Sequence, residues 1–211
     1  MMEDIVIVGG GGHAKVVAAM LAAMPRYQIV GYVDLKDRGP LLGAPFIGDD
    51  ASLISLARKQ QGLHVVIGVG QVGLGMHRSA LRQRLQAVHV SFPTIIAENA
   101  VVSPAARCAE ACTIMPGAVL NPDATIGIGC ILNSNCTVEH DVMLGDWVHI
   151  APGATVCGDV QIGRHSMIGA GATVIEGVKV SHDCLIGAGA TVIHSIHEPG
   201  TYVGSPARRI R

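Results

Sequence analysis

Apolar residues in the second half of the chain recur with a period of six. Stepping from Ile96 through Val102, Cys108, Ile114 and Leu120 to Val192 gives seventeen marks, sixteen of them Ile, Leu or Val. The residue four places after each mark is small or aliphatic, as at Ala118, Cys130, Val142, Ala154 and Ser166. A strand has period two and an α-helix about 3.6, so neither sustains six over a hundred or so residues, whereas a short strand followed by a tight turn does. The pattern predicts a parallel β-helix whose marks and fourth positions face a thin core. With three hexads per triangular coil, residues 96–197 make just under six coils, each rising about 4.8 Å.

The first half carries a different signal. Ile5 to Val8 is a short apolar run, followed by Gly9-Gly10-Gly11-Gly12-His13-Ala14-Lys15 and apolar residues at helical spacing through Met24. Strands are expected again at Ile29 to Val33 and Val65 to Val69, with helices near Asp50 to Gln60 and Gly73 to Gln86. Strands alternating with helices predict a small parallel sheet, hence a Rossmann-like α/β domain over residues 1–95 ahead of a β-helix domain over 96–211. Gly9-x-Gly11-x-x-Ala14 after a strand, with Asp34 after the next, fits a phosphate-binding turn at a helix amino terminus. A glycine turn that serves only strand-to-helix packing is the plain alternative.

Composition narrows the picture. The chain of 211 residues is 49% apolar but 3% aromatic, so its core must be aliphatic and narrow. Net charge of -1 with 15% charged residues excludes a disordered chain, and the absence of a basic stripe argues against nucleic-acid binding. No apolar run approaches the roughly 18 residues of a membrane helix, and no basic-then-apolar leader pattern is seen, so a soluble cytoplasmic protein is expected. Five of the six cysteines fall at inward ruler positions, where Cys acts as a small hydrophobe and a poor nucleophile. His194-x-x-His197 lacks a third ligand, so no metal is expected. Trp147, the one ring in the repeat, sits outward and is expected to pack between subunits.

The glycine-rich turn together with the uninterrupted hexad ruler resembles the hexapeptide-repeat acyltransferases, in the sugar branch that holds UDP-N-acetylbacillosamine N-acetyltransferase and the sialic acid O-acetyltransferases. The resemblance spans nearly the whole chain. It implies a left-handed β-helix, a homotrimer, acetyl-CoA in the groove between neighbouring helices, and a nucleotide-linked amino sugar held by the amino-terminal domain. Handedness comes from the resemblance alone, because most parallel crossovers are right-handed.

His140 is the third residue of its hexad and so points outward, with Asp141 beside it and Gly158 at the equivalent place one coil later. By position alone it is a surface histidine next to a gap with room for a slender ligand. In the resembled family a His followed by a carboxylate is the general base, and Cys136-Thr137-Val138-Glu139-His140-Asp141 matches that motif. Imidazole has the pKa to deprotonate a sugar ammonium, after which the amine attacks the thioester directly. The family's acetyl-CoA contacts fall on His149, Ala170 and Ala188, with Asn133 and Gly158 near the thioester. Its nucleotide-sugar contacts fall on Gly11, Gly12, His13, Asp34 and Gly70, and Leu35 replaces a second acidic residue often found there. Arg208 and Arg209 either meet CoA phosphates or form a solvated tail. Three other functions remain compatible with these residues: hydroxyl O-acetylation, a nicotinamide oxidoreductase built on the Gly9 to Asp34 fingerprint, and a non-catalytic scaffold.

Overall fold

The computed structural model describes residues 2–86 and 88–211. The chain divides into two compact units, Met1–Gly70 with Arg78–Ile95, and Gln71–His77 with Ile96–Arg211.

In the first unit β1 (Glu3–Val8) lies between β2 (Tyr27–Val33) and β3 (His64–Ile67), all parallel. Ile5, Val6 and Ile7 are fully buried, as expected of a central strand with no solvent face. Helix α1 (Gly12–Ala22) follows β1, and α2 (Asp50–Lys59) leads towards β3. The Asp49 carboxylate caps α2 by accepting the Ser52 N–H at 3.0 Å, a contact worth about 1 kcal/mol. Helix α3 (Met76–Leu85) begins three residues later than its sequence suggests. Residues 71–75 form a bent, non-helical segment instead, with Gly73 at φ +105°, which a helix cannot include. In this strap Gln71 and Gly75 are buried, whereas Val72 and Leu74 are exposed, as is Met76 at the start of α3.

The second unit is a parallel β-helix of two-residue strands in three sheets. Ile131–Leu132 pairs with His149–Ile150 in the first sheet, Thr137–Val138 with Thr155–Val156 in the second, and Met143–Leu144 with Gln161–Ile162 in the third. Every six-residue mark from Ile114 to Val192 is buried, and so is every fourth position from Cys112 to Ile196. Ser166 is the polar member of this set. It is satisfied there: its hydroxyl donates to the Ser181 carbonyl and accepts the Cys184 N–H, both at 3.0 Å. Burial pushes the Cys136 thiol up to about 12 and, with neighbouring Cys112, that of Cys108 to about 11.

The turns carry a second period that the ruler does not reveal. From Ala111 to Gly189 every sixth residue lies in the left-handed region, with φ between 53° and 71°. Glycine occupies Gly117, Gly129, Gly153, Gly171, Gly177 and Gly189, and Asp or Asn occupies Asp123, Asn135, Asp141, Asp159 and Asp183. These residue types tolerate a conformation that costs others roughly 1–2 kcal/mol. Ala111, Trp147 and His165 are the exceptions. At the carboxyl end, Gly200–Val203 extends the first sheet and Arg208–Arg209 pairs antiparallel with it, closing the stack.

Candidate active site

His140 and Asp141 sit in the turn from the second sheet to the third. The left-handed turn at Asp141 swings its carboxylate back so that Oδ2 lies 2.8 Å from His140 Nδ1. A carboxylate only accepts, so Nδ1 carries the proton and Nε2 keeps the lone pair of a base. Both side chains are more than half exposed. The hydrogen bond to Asp141 is the main cause of a raised His140 pKa; slight burial opposes it, and the charges of Asp141, Glu139 and Asp159 add to it.

Gly158 is where the imidazole rests. A Cβ on Gly158 would lie 2.7 Å from His140 Cε1 and 2.8 Å from Nε2. The gap expected to admit a slender ligand is therefore filled by the His140 ring itself. The sequence pattern could not show this, because it places residues on a coil without rotamers.

A second His–Asp pair tests how much the dipeptide means. His182 Nδ1 lies 2.8 Å from Asp183 Oδ2, at the same hexad positions and again with the acid left-handed. Here the other carboxylate oxygen, which accepts no hydrogen bond, is 3.3 Å from His165 Nδ1, so a second imidazole faces the same acid. The dyad geometry thus comes from the turn; the glycine seat and an unshared carboxylate set His140 apart.

Asn133 and His149 are brought together on adjacent coils. The Asn133 amide donates from Nδ2 to His149 Nε2 at 3.0 Å, and His149 Nδ1 reaches the Gln71 carbonyl at 3.1 Å. His149 is only 5% exposed, so both its ring nitrogens are committed within the chain. Asn133 occupies the turn from the first sheet to the second, and exposed Ala170 and Ala188 follow on later coils of that corner. His140 and Gly158 occupy the next corner. One chain therefore places these two groups on opposite edges of the second sheet, whose outward face carries the stacked Thr137, Thr155, Thr173 and Thr191.

In the first unit Gly11 is the N-cap of α1 and supplies no side chain to it. A Cβ on Gly11 or Gly12 would meet nothing within 4 Å, so the helix amino terminus is open. Gly70 lies against His13, where a Cβ would come 3.1 Å from that of His13. Asp34 is occupied: Oδ2 accepts the Gly10 N–H at 2.8 Å and Arg38 Nε at 2.7 Å, and Oδ1 accepts the Leu35 N–H at 2.6 Å. Burial alone would raise its pKa, but these three donors outweigh burial and hold it below the usual carboxylate range. Asp34 thereby staples the glycine turn to the end of β2, and Leu35 projects fully into solvent.

Trp147 differs from expectation. It is 7% exposed within one chain, its ring packed over Gly129 one coil earlier and its backbone against Gly75 of the strap. The strap shields it, a contact that only the fold of residues 71–75 reveals. Near the carboxyl end a cavity of about 330 Å³ is lined by His194, His197, Tyr202, Arg208 and Arg209 among others, with Arg209 paired to Glu198. Among the described residues no group of three or more His, Cys, Asp or Glu is arranged to hold a metal ion, and no helix is long and apolar enough to cross a membrane.

Residues 4–75 match the PglD N-terminal domain family, and residues 123–158 and 159–194 match the bacterial transferase hexapeptide family. A PglD-type domain followed by hexapeptide repeats defines a class of transferases. PerB from Caulobacter crescentus, solved with CoA and GDP-perosamine, is 33% identical over 100% of this chain and 99% of its own, with a TM-score of 0.92. A histidine-to-alanine variant of GDP-perosamine N-acetyltransferase from the same organism, with the same two ligands, is 32% identical over 100% and 98%, with a TM-score of 0.92. The acetyltransferase domain of PglB from Neisseria gonorrhoeae, solved with acetyl coenzyme A, is 30% identical over 100% of both chains, with a TM-score of 0.90. Among curated proteins none matches. The chain belongs to the hexapeptide-repeat sugar acetyltransferase family, and its second unit is that family's left-handed β-helix.

Proposed function

We infer that the protein transfers an acetyl group from acetyl-CoA to the amine of a nucleotide-linked amino sugar. The observation that carries this reading is the His140–Asp141 pair, 2.8 Å apart and seated on Gly158, in a chain whose 30–33% identical relatives are solved with CoA, acetyl-CoA or GDP-perosamine. His140 Nε2 takes a proton from the sugar amine as its nitrogen attacks the thioester carbonyl, forming the C–N bond. The tetrahedral intermediate then expels the CoA sulfur, which leaves with the proton that His140 returns. No acyl-enzyme is required, consistent with thiols buried at high pKa.

The open amino terminus of α1 at Gly11, Gly12 and His13 suits the nucleotide diphosphate, since its N–H groups and dipole favour an anion. Asp34 holds the turn in shape, and Gly70, without a side chain, lets His13 pack against it. Acetyl-CoA is assigned to the Asn133, Ala170 and Ala188 corner. Because that corner and the His140 corner bound opposite edges of one face, a homotrimer in which the edge of one copy meets the other edge of its neighbour supplies both halves of the site. A cytoplasmic location accords with a nucleotide-linked substrate.

The test is release of CoA thiol with UDP-, GDP- and dTDP-linked 4-amino sugars, measured side by side. Turnover that needs both substrates, is abolished in His140→Ala and survives in His182→Ala supports the reading. Acetylation confined to hydroxyl acceptors, or full activity in His140→Ala, overturns it.

A further inference from the structure

The strap at residues 71–75 reaches the candidate donor site through a chain of hydrogen bonds whose two ends are main-chain groups. At one end the Gln71 carbonyl can only accept, so His149 Nδ1 must carry a proton to make its 3.1 Å contact. His149 Nε2 is then a bare lone pair, matched to a donor on Asn133 at 3.0 Å. At the other end the Ser134 N–H can only donate, and it lies 2.8 Å from Asn133 Oδ1, which fixes the amide so that Nδ2 faces His149. One arrangement of protons satisfies all three contacts, with His149 neutral. A protonated His149 would set Nε2–H against Nδ2–H, and a flipped amide would set Nδ2 against the Ser134 N–H. The strap is itself pinned at alternate residues: the Gly73 N–H points to Met167 Sδ at 3.3 Å and the Gly75 N–H to the His165 carbonyl at 3.1 Å.

We propose that His149 is a positioning residue acting through Asn133: the Gln71 carbonyl sets its tautomer, and Asn133 presents its remaining Nδ2–H to the thioester oxygen of the acetyl donor. This rests on the acetyl-transfer reading and refines it, since it moves the donor contact from His149, which is buried with both nitrogens spent, to the half-exposed Asn133. The amide N–H remaining on Asn133 stands ready for the charge that grows on the thioester oxygen as the amine adds.

Two measurements on the full chain test the relay. In the first, long-range proton–nitrogen correlations of histidine-labelled protein are followed between about pH 5 and 9. His149 is expected to stay in the Nδ1–H tautomer throughout while His140 titrates; a titrating His149, or one protonated at Nε2, overturns the proposal whether or not any sugar is acetylated. The second is kinetic. His149→Asn keeps a donor near Gln71 but cannot reach Asn133, whereas the longer amide of His149→Gln can accept from it. His149→Asn and Asn133→Ala should each lower kcat/KM for acetyl-CoA about 100-fold, with His149→Gln within about tenfold of wild type and the double variant no worse than Asn133→Ala. Additive losses, or equal losses in His149→Gln and His149→Asn at unchanged melting temperatures, would refute it. Absence of turnover in the wild type with every amino sugar would instead count against the acetyl-transfer reading and leave the tautomer measurement to decide the relay.

Discussion

Gly158→Ala should disable catalysis while leaving the fold intact. The new Cβ would lie 2.7 Å from His140 Cε1, against the 3.4 Å at which ordinary contact begins, so the ring must retreat by about 0.7 Å. The three heavy atoms nearest that Cβ all belong to the His140 ring, and Gly158 is not left-handed, so alanine is tolerated by the backbone. The obstructing ring is 62% exposed and free to turn away, which keeps the folding cost under about 1 kcal/mol. Retreat, however, moves Nε2 off the amine and loosens the contact to Asp141. Misplacement of a reacting group by about 1 Å costs on the order of 10²-fold, roughly 2.7 kcal/mol in the barrier. The assay is CoA thiol release by wild type and variant, paired with thermal melts and with the pH titration of the His140 ring. A loss of about 30- to 300-fold in kcat/KM, with the melting temperature within a degree or two, is expected. Full activity in the variant would show that the seat does not matter; a collapse of the melting temperature would show that Gly158 serves folding.

Because the Asp141 hydrogen bond is the main cause of the raised His140 pKa and the base must be unprotonated, kcat/KM should rise with pH through a midpoint above the ordinary imidazole value of about 6.5. Asp141→Asn should move that midpoint down and lower the plateau by about tenfold or more; an unmoved midpoint would exclude Asp141 as the cause. Gly75→Ala puts a Cβ 2.6 Å from the Trp147 carbonyl oxygen, a backbone atom that cannot swing away, so the strap should be dislodged at a cost of about 1–3 kcal/mol, read as a lower denaturant midpoint; an unchanged midpoint would show the strap to be loosely held. If each site joins the His140 edge of one copy to the Asn133 edge of the next, co-refolding equal amounts of inactive His140→Ala and Asn133→Ala should recover about a quarter of wild-type activity by random assortment. No recovery in mixed trimers would place both edges' functions within one copy.

What the sequence made legible was whatever depends on period. The marks and fourth positions predicted the buried set of the β-helix, including Cys112, Cys130, Cys136 and Cys184, because burial in a thin prism excludes every large or charged side chain. The three strands of the first unit were legible for the same reason. A left-handed residue in every turn was also written in the sequence, as Gly, Asp or Asn three places after most marks, but a ruler tuned to apolar residues passes over it. What stayed hidden depends on contacts distant in sequence. Residues 73–75 read as the first turn of a helix, since nothing local marks a bent strap. His149 is covered by a carbonyl 78 residues away, and Trp147 by Gly75. The His140 ring was placed correctly on its corner, and only its rotamer turned the supposed gap at Gly158 into a seat.

The left-handed turn explains why this fold supplies His–Asp pairs so readily. Each hexad needs a residue of positive φ, and Asp is among the few non-glycine residues that accept it. An Asp held there turns its carboxylate back upon the residue before it, so a His at the third position acquires an oriented imidazole from local geometry alone. His140–Asp141 and His182–Asp183 arise in this way on different corners, with the same 2.8 Å separation. A dyad therefore carries little functional information in a β-helix. Function must be decided by what surrounds it: His165 also faces Asp183, while Asp141 bonds His140 and that ring rests on a glycine. By this logic, moving the function to the second corner would require removing His165 from Asp183 as well as supplying a donor-binding edge opposite it, and a His–Asp motif elsewhere in such a repeat counts as a base only when both conditions hold.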